Sequence, residues 1–175
     1  IISQQVNQFN TLAQELLAFA KGSSTLQLQN MKFPACIQDS LTSLHQNLVQ
    51  QKMNLVTDFQ GDALIQIDPS RFYRVYDNLA NNAIEAMSDG GTLTITSQVS
   101  DDHLVMRISD TGHGMEAEVL TKAFDEFFTH QKHNGTGLGL AIVKSIVTDH
   151  NGHISVESVL DQGTTFTITL PILKT

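Results

Sequence analysis

Cysteine is nearly absent from this chain. Cys36 stands alone, which excludes an internal disulfide and any cysteine-built metal centre. Cations are scarce as well: 10 lysines and arginines stand against 18 aspartates and glutamates, for a formal net charge of −8. That balance argues against non-specific attachment to nucleic acid or to anionic lipid. A phosphate-bearing ligand would have to be held by backbone dipoles, a few local cations or a metal. No apolar run is long enough to span a membrane, no signal peptide leads the chain, and no internal repeat interrupts it. The opening Ile1-Ile2 begins mid-pattern without a methionine, so the expectation is a fragment of a longer protein, whose own membrane attachment stays open. What is present is a globular composition, 41% hydrophobic and 16% charged over 175 residues. That is enough for one domain with a sizeable core and an appendage.

Residues 1–20 carry Ile2, Val6, Phe9, Ala13, Leu16 and Ala20 at alternating steps of four and three. This heptad-like seam predicts a helix, either packed on its own domain or forming half of an intermolecular bundle. Lys21-Gly22 stops it, and Ser23 to Thr25 read as a linker. Leu26 to Phe33 alternates like an edge strand, and Pro34 opens a helix with Ile37, Leu41, Leu44 and Leu48 on one face. Strand-like runs at Met53 to Phe59 and Ala63 to Ile67 flank Gln60-Gly61-Asp62, which reads as a hairpin turn.

Asp68-Pro69-Ser70 starts the next helix, with Asp68 as the cap and Pro69 in the first turn. The helix runs to about Met87, and its buried stripe is predicted to be Phe72, Val75, Tyr76, Leu79, Ala83 and Ala86. Beside that stripe runs a polar one: Arg71, Arg74, Asn78, Asn82 and Glu85. Asparagine is mildly unfavourable inside a helix, so two of them one turn apart need a reason. They form either a solvated face or a row of amide oxygens facing a pocket. Strands at Thr92 to Val99 and His103 to Ser109 follow, and the second runs into Asp110-Thr111-Gly112-His113-Gly114-Met115. A carboxylate there can accept hydrogen bonds from a ligand amine; a tight turn is the plainer alternative. Glu116 to Ala123 reads as a short helix, followed by the cluster Phe124, Phe127 and Phe128. Thr129 to Asn134 reads as a mobile polar loop with Lys132 available to phosphate. Gly135, Gly137 and Gly139 then alternate into a helix that runs to Asp149. A helix N-terminus behind glycines suits an anion, although the same pattern can be only a turn. It is neither the dinucleotide fingerprint nor the P-loop, because no Gly-Lys-Ser/Thr ends it. Strands at His153 to Ser158 and Thr164 to Leu170 close the chain as a hairpin, with Pro171 as the stop.

Taken in order, these stretches resemble the catalytic, ATP-binding domain of sensor histidine kinases, within the wider GHKL ATPase group. Asp68 to Met87, with Asn78 and Asn82, looks like the family's N box; Asp110 to Met115 looks like the first glycine box. Phe124 to Thr129 looks like the F box, Gly135 to Leu140 like the second glycine box, and Gly163 to Phe166 like the final one. The resemblance covers roughly residues 26–172 and divides the chain into 1–21, the end of a dimerisation and phosphoacceptor helix, 22–25, a linker, and 26–175, the catalytic domain.

The resemblance implies an α/β fold of the Bergerat type, a two-layer sandwich with a mixed sheet of about five strands and helices on one face, preceded by the N-terminal helix. It implies a protein histidine kinase fragment that transfers the γ-phosphate of ATP, with Mg²⁺, to a histidine upstream of Ile1, for relay to a response regulator receiver domain. ATP and ADP, the phosphoacceptor domain and a second copy of the full-length chain are the implied partners; a cytoplasmic location is implied for the domain, with the parent anchored or soluble. Asp110 would bind the adenine amino group, partly through water, and Thr164 would help on the same ring. Asn82 would ligate Mg²⁺, with Asn78 beside it in the catalytic pair. Gly135, Thr136, Gly137, Leu138, Gly139 and Leu140 would wrap the phosphates, Gly112 and Gly114 would shape the base pocket, and Lys132 and Phe124 would belong to the lid and its hinge. Glu85 stands where many relatives have a phosphate-touching lysine, and Asn78 stands where hydrolytic members have glutamate. With Glu85 the lysine contact to phosphate is lost, and Asn78 favours phosphoryl transfer over hydrolysis, since asparagine is no general base at neutral pH. None of the seven histidines sits in the acceptor context, a histidine followed by an acidic residue; His45, for example, is followed by Gln46.

Overall fold

The computed structural model describes residues 25–129 and 136–174. The expected N-terminal helix, most of the linker, and the loop residues His130 to Gly135 lie outside the described residues. The chain order is β1 (Gln29–Phe33), a 3₁₀ turn (Ala35–Ile37), α1 (Gln38–Gln50), β2 (Met53–Phe59), β3 (Ala63–Ile67), α2 (Pro69–Ala86), β4 (Gly91–Ser100), β5 (His103–Asp110), α3 (Ala117–Thr121), α4 (Gly139–Asp149), β6 (His153–Val159) and β7 (Gly163–Pro171).

Five strands form one mixed sheet in the order β2-β4-β5-β7-β6, parallel only between β2 and β4. Period-two alternation sorts the two faces. Leu93, Ile95, Leu104, Met106, Ile108, Phe166, Ile168 and Leu170 are buried on one side. Thr94, Thr96, Arg107, Thr165 and Thr167 alternate with them and keep contact with water. The apolar face is covered by α1 against β2, α2 against β5 and α4 against β6, with α2 and α4 packed on each other. This is the two-layer α/β arrangement expected from the sequence.

Helix α2 is the central element of the helical layer. The Asp68 side chain caps it, accepting from the Ser70 and Arg71 N–H groups, with Pro69 in the first turn. Phe72, Val75, Tyr76, Leu79 and Ala83 are buried as the spacing predicts, and Ala80 joins them. Ala86, expected in the stripe, is only half-buried, and its backbone meets the loop after β5. The start of α2 is tied to the end of α4. The Asp68 N–H donates to His150 Nε2 at 2.8 Å, and His150 Nδ1 meets the Ile146 carbonyl at 2.7 Å. Since Nε2 accepts, the ring proton sits on Nδ1, and the imidazole is neutral. Arg71 reinforces the tie through Asp149 at 3.1 Å. Burial by itself would raise the Asp68 carboxyl; the bonds from Ser70, Gln27 and Arg71 together outweigh it and hold the group below its ordinary value.

One expected connection is different. Gln60-Gly61-Asp62 does not close a hairpin. Strand β2 pairs with β4, whereas β3 pairs antiparallel with β1 in a separate two-stranded sheet. The Gln60 N–H stays on the Ser97 carbonyl, and Gly61, at φ 83°, turns the chain off the main sheet over Val99. Pro171 does not end the order either. It is still paired with His103, and the chain continues so that Leu173 donates to the Leu64 carbonyl, joining the two sheets. The edge-to-face pair Phe33–Phe59 joins them at the other end.

Two substitutions in this core should move stability in opposite senses. Phe72, 1% exposed, sits edge-to-face with both Tyr76 and His150. Phe72→Ala should cost about 3–5 kcal/mol in urea unfolding. The Ser97 hydroxyl is buried without a hydrogen-bond partner, so Ser97→Ala should leave stability unchanged or raise it by up to about 1 kcal/mol.

Candidate functional site

The sheet and α2 bring three of the sequence-predicted stretches to one place. Asp110 ends β5, opposite Thr164 on β7. It lies on the buried face, 9% exposed. Its Oδ1 accepts from the Gly112 N–H at 2.9 Å and from the Thr164 N–H at 3.3 Å. Both bonds fall on Oδ1, so Oδ2 is the oxygen left for another donor. Burial is the largest influence on this carboxyl and pushes it above its ordinary value; the bonds from Gly112 and Thr164 and the nearby His113 pull it back only in part.

The loop after β5 is pressed onto the end of α2. The His113 N–H donates to the Ala86 carbonyl at 3.0 Å. A Cβ on Gly112 would lie 2.5 Å from that same carbonyl oxygen, so only glycine allows the approach. Gly114, at φ 64°, abuts the Val159 carbonyl in the same way.

The other end of the site lies two turns back along α2. Asn78 donates from Nδ2 to the Arg74 carbonyl at 2.8 Å. Its Oδ1 faces the first residue of α4, where a Cβ on Gly139 would sit 2.7 Å from it. No side chain caps α4; Leu138, completely buried, holds the cap position, and its N–H donates to the Thr136 hydroxyl oxygen at 3.3 Å. The orphan N–H groups and positive dipole end of α4 thus open beside Asn78. From Asn78 to Ala86 is eight residues. At the helical rise that separates the two ends of the site by about 12 Å, comparable to the reach of a nucleotide from base to phosphates. Asn82, half-buried, stands midway.

The flanks of the loop meet behind this cleft. A Cβ on Gly137 would lie 2.5 Å from the Phe127 carbonyl carbon, so the two stems touch. Phe127 is 60% exposed and holds a φ of 62°. Phe124 packs edge-to-face on Phe166, under Lys144 at 5.7 Å. Leu140 is half-buried in the first turn of α4. Lys132 and Gly135, proposed for phosphate, lie outside the described residues. The helix expected over Glu116 to Ala123 contracts to Ala117–Thr121 and buries none of its own residues.

Sequence reasoning missed Ser158 and the role of His150. Ser158 sits at the end of the β6 alternation Ile154, Val156, Ser158, and a hydroxyl ending an apolar row was the available signal. His150 was read only as an unsuitable acceptor; its burial against Asp68 needs two helix ends that are 82 residues apart in the chain.

Residues 67–174 match the model of the family described as histidine kinase-, DNA gyrase B- and HSP90-like ATPases. Sensor histidine kinase ZraS of Salmonella typhi is 34% identical over 175 residues, 99% of this chain and 37% of that protein. Sporulation kinase E of Bacillus subtilis is 32% identical over 98% of this chain and 23% of its own length. The chain therefore spans well under half of these curated relatives. Among solved structures, the catalytic domain of histidine kinase ThkA superposes with a TM-score of 0.75 at 26% identity, over 83% of this chain and 98% of that one.

The raised Asp110 carboxyl has a sign that can be measured. A group whose folded value lies above its unfolded one contributes stability fully present below the unfolded value and lost as pH rises through the folded one. Asp110→Asn keeps an oxygen for both N–H donors and removes the buried charge. The variant should be at least as stable as wild type near pH 7, with the advantage shrinking as pH falls; urea unfolding at several pH values measures it.

Proposed function

This chain belongs to the histidine kinase-, DNA gyrase B- and HSP90-like ATPase family, and on that premise we propose that its ATP-binding kinase domain transfers the γ-phosphate of ATP to a histidine on a separate phosphoacceptor domain, for relay to a response regulator receiver domain. The observation that carries this reading is the pairing of a buried carboxylate, Asp110, with an uncapped helix N-terminus at Gly139, set along one helix at the spacing of a nucleotide.

Asp110 Oδ2 accepts a hydrogen from the base amine, and the backbone N–H groups of Gly139 and Leu140 meet the phosphates. The chain is too acidic to bind an anion by general attraction. The dipole of α4 supplies local positive potential without a net cation. Among the described residues, no three His, Cys, Asp or Glu side chains gather to hold a metal. The residue proposed as its ligand is Asn82, through the amide oxygen, midway along the site. That suits Mg²⁺, a hard cation that uses one or two protein oxygens and completes its shell with waters and phosphate oxygens. When bound, it would neutralise charge on the phosphates. Asn78 cannot act as a base, and its amide is already committed to the Arg74 carbonyl. Water is therefore poorly activated, and the γ-phosphate is kept for an incoming imidazole. Residues 1–21 are proposed as the end of the dimerising phosphoacceptor helix and 22–25 as the linker, with 26–175 the catalytic unit. The partner histidine, the receiver domain and a homodimer of the full-length chain belong to the same proposal.

Calorimetric titration separates the assigned roles. Asp110→Asn should weaken ATP and ADP alike, because both carry the same base, by roughly tenfold or more for a charge-assisted bond. Asn82→Ala should weaken Mg-ATP more than metal-free ATP; equal losses in both would remove Asn82 as the metal ligand.

Phosphate transfer is tested with labelled ATP. The chain alone should gain no label on histidine, while a separately made phosphoacceptor domain added in trans should become labelled. Histidine labelling of the chain alone would contradict the proposed division of labour.

A further inference from the structure

We propose that Ser158 sets the direction of the Thr164 hydroxyl and thereby makes the base end of the site selective for a nucleobase that carries an amino group. The inference rests on the nucleotide reading above and adds a specificity-determining residue to it.

Asp110, Thr164 and Ser158 form a row across three adjacent strands, since Thr164 pairs with Asp110 on one side and with Ser158 on the other. The hydrogens in this row can be counted. Ser158 Oγ accepts the Met115 N–H at 2.8 Å. It also contacts the Gly163 carbonyl at 3.0 Å and Thr164 Oγ1 at 3.0 Å. A carbonyl oxygen only accepts, so the single hydrogen of Ser158 goes to Gly163. The contact with Thr164 then has one remaining solution: Thr164 donates its hydroxyl hydrogen to the second lone pair of Ser158. The Thr164 N–H is already on Asp110 Oδ1.

Every donor of the row is thus used internally. What remains for a ligand is acceptor capacity, the lone pairs of Thr164 Oγ1 and of Asp110 Oδ2. Two acceptors suit the N–H groups of an exocyclic amine. They disfavour a base with a carbonyl oxygen at the same position, because three acceptors would then face one another without a hydrogen between them. Ser158 touches no ligand in this scheme. It acts through Thr164, and the Met115 bond anchors it to the loop that follows Asp110.

The test is the ratio of dissociation constants for inosine and adenosine diphosphates, which differ at this position of the base. Wild type should prefer the adenosine form. Ser158→Ala releases the Thr164 hydrogen, which can then be donated to the inosine carbonyl, so the ratio should narrow by roughly three- to tenfold. Ser158→Thr keeps a hydroxyl in a strand position and should restore the wild-type ratio. Thr164→Val leaves the Ser158 bonds to Met115 and Gly163 in place; it should lower adenosine diphosphate affinity and, with one opposing acceptor gone, raise that of the inosine form, so that the ratio narrows. If Ser158→Ala weakens both nucleotides equally, Ser158 is only structural and the inference is overturned, while the nucleotide reading stands. A wild type that binds adenosine diphosphate without preferring it over the inosine form overturns the donor count. A wild type that binds neither overturns the nucleotide reading itself.

Discussion

Helix α2 has to lie flush against two stretches of backbone, and the site depends on that contact. At its C-terminal end the Ala86 carbonyl meets Gly112 and receives the His113 N–H. Two turns earlier, Asn78 meets Gly139 at the mouth of α4. In both places the space that a side chain would fill is already taken. A methyl group at Gly112 would meet the Ala86 backbone and push the helix off the loop, whereas one at Gly139 would displace the Asn78 side chain. The glycines therefore allow the close approach at each end of this stretch of α2. The far end of the helix is held by different means, the Asp68–His150 bond and the Arg71–Asp149 pair. Together these contacts keep α2 and α4 in register over their whole contact.

The electrostatics follow from the acidic composition. A protein with net charge −8 that binds a polyanion must separate the two tasks. At the start of α4, where the phosphates are proposed to lie, it presents backbone N–H groups and a helix dipole, which carry positive potential without adding cations. At the end of β5, where the base is proposed to lie, it presents a buried carboxylate, suited to a neutral group that offers N–H donors. Placing Asp110 inside the fold disfavours its ionised form, and the two N–H bonds to Oδ1 offset part of that cost. On the proposed reading the charge meets the base and stays away from the phosphates.

Much of the architecture was legible in the sequence. Apolar period in α2 and alternation in β4, β5 and β7 placed the core, and Asp68-Pro69 marked the start of α2. The expected hairpin after β2 failed for a physical reason. A glycine turn between two strand-like runs looks the same whether the runs pair with each other or leave for different sheets. Partner choice depends on β4 and β1, which lie outside any local window. Ala86 was misplaced in the same way, since its backbone meets a loop that arrives 26 residues later in the chain, at Gly112.

The sequence by itself determined the residue types and their order: amide oxygens one turn apart on a helix, a carboxylate at a strand end, alternating glycines before a helix. These are local patterns, set by covalent spacing and by the 3.6 and 2.0 periods of the backbone. Only the tertiary structure decided which oxygen of Asp110 is committed, which ring nitrogen of His150 carries the proton, and that the Ser158 and Thr164 hydroxyls meet. Those are properties of hydrogen bonds between strands and helices far apart in the chain. A hydroxyl or an imidazole has several equivalent ways to donate and accept until its neighbours are in place, so folding has to choose one of them.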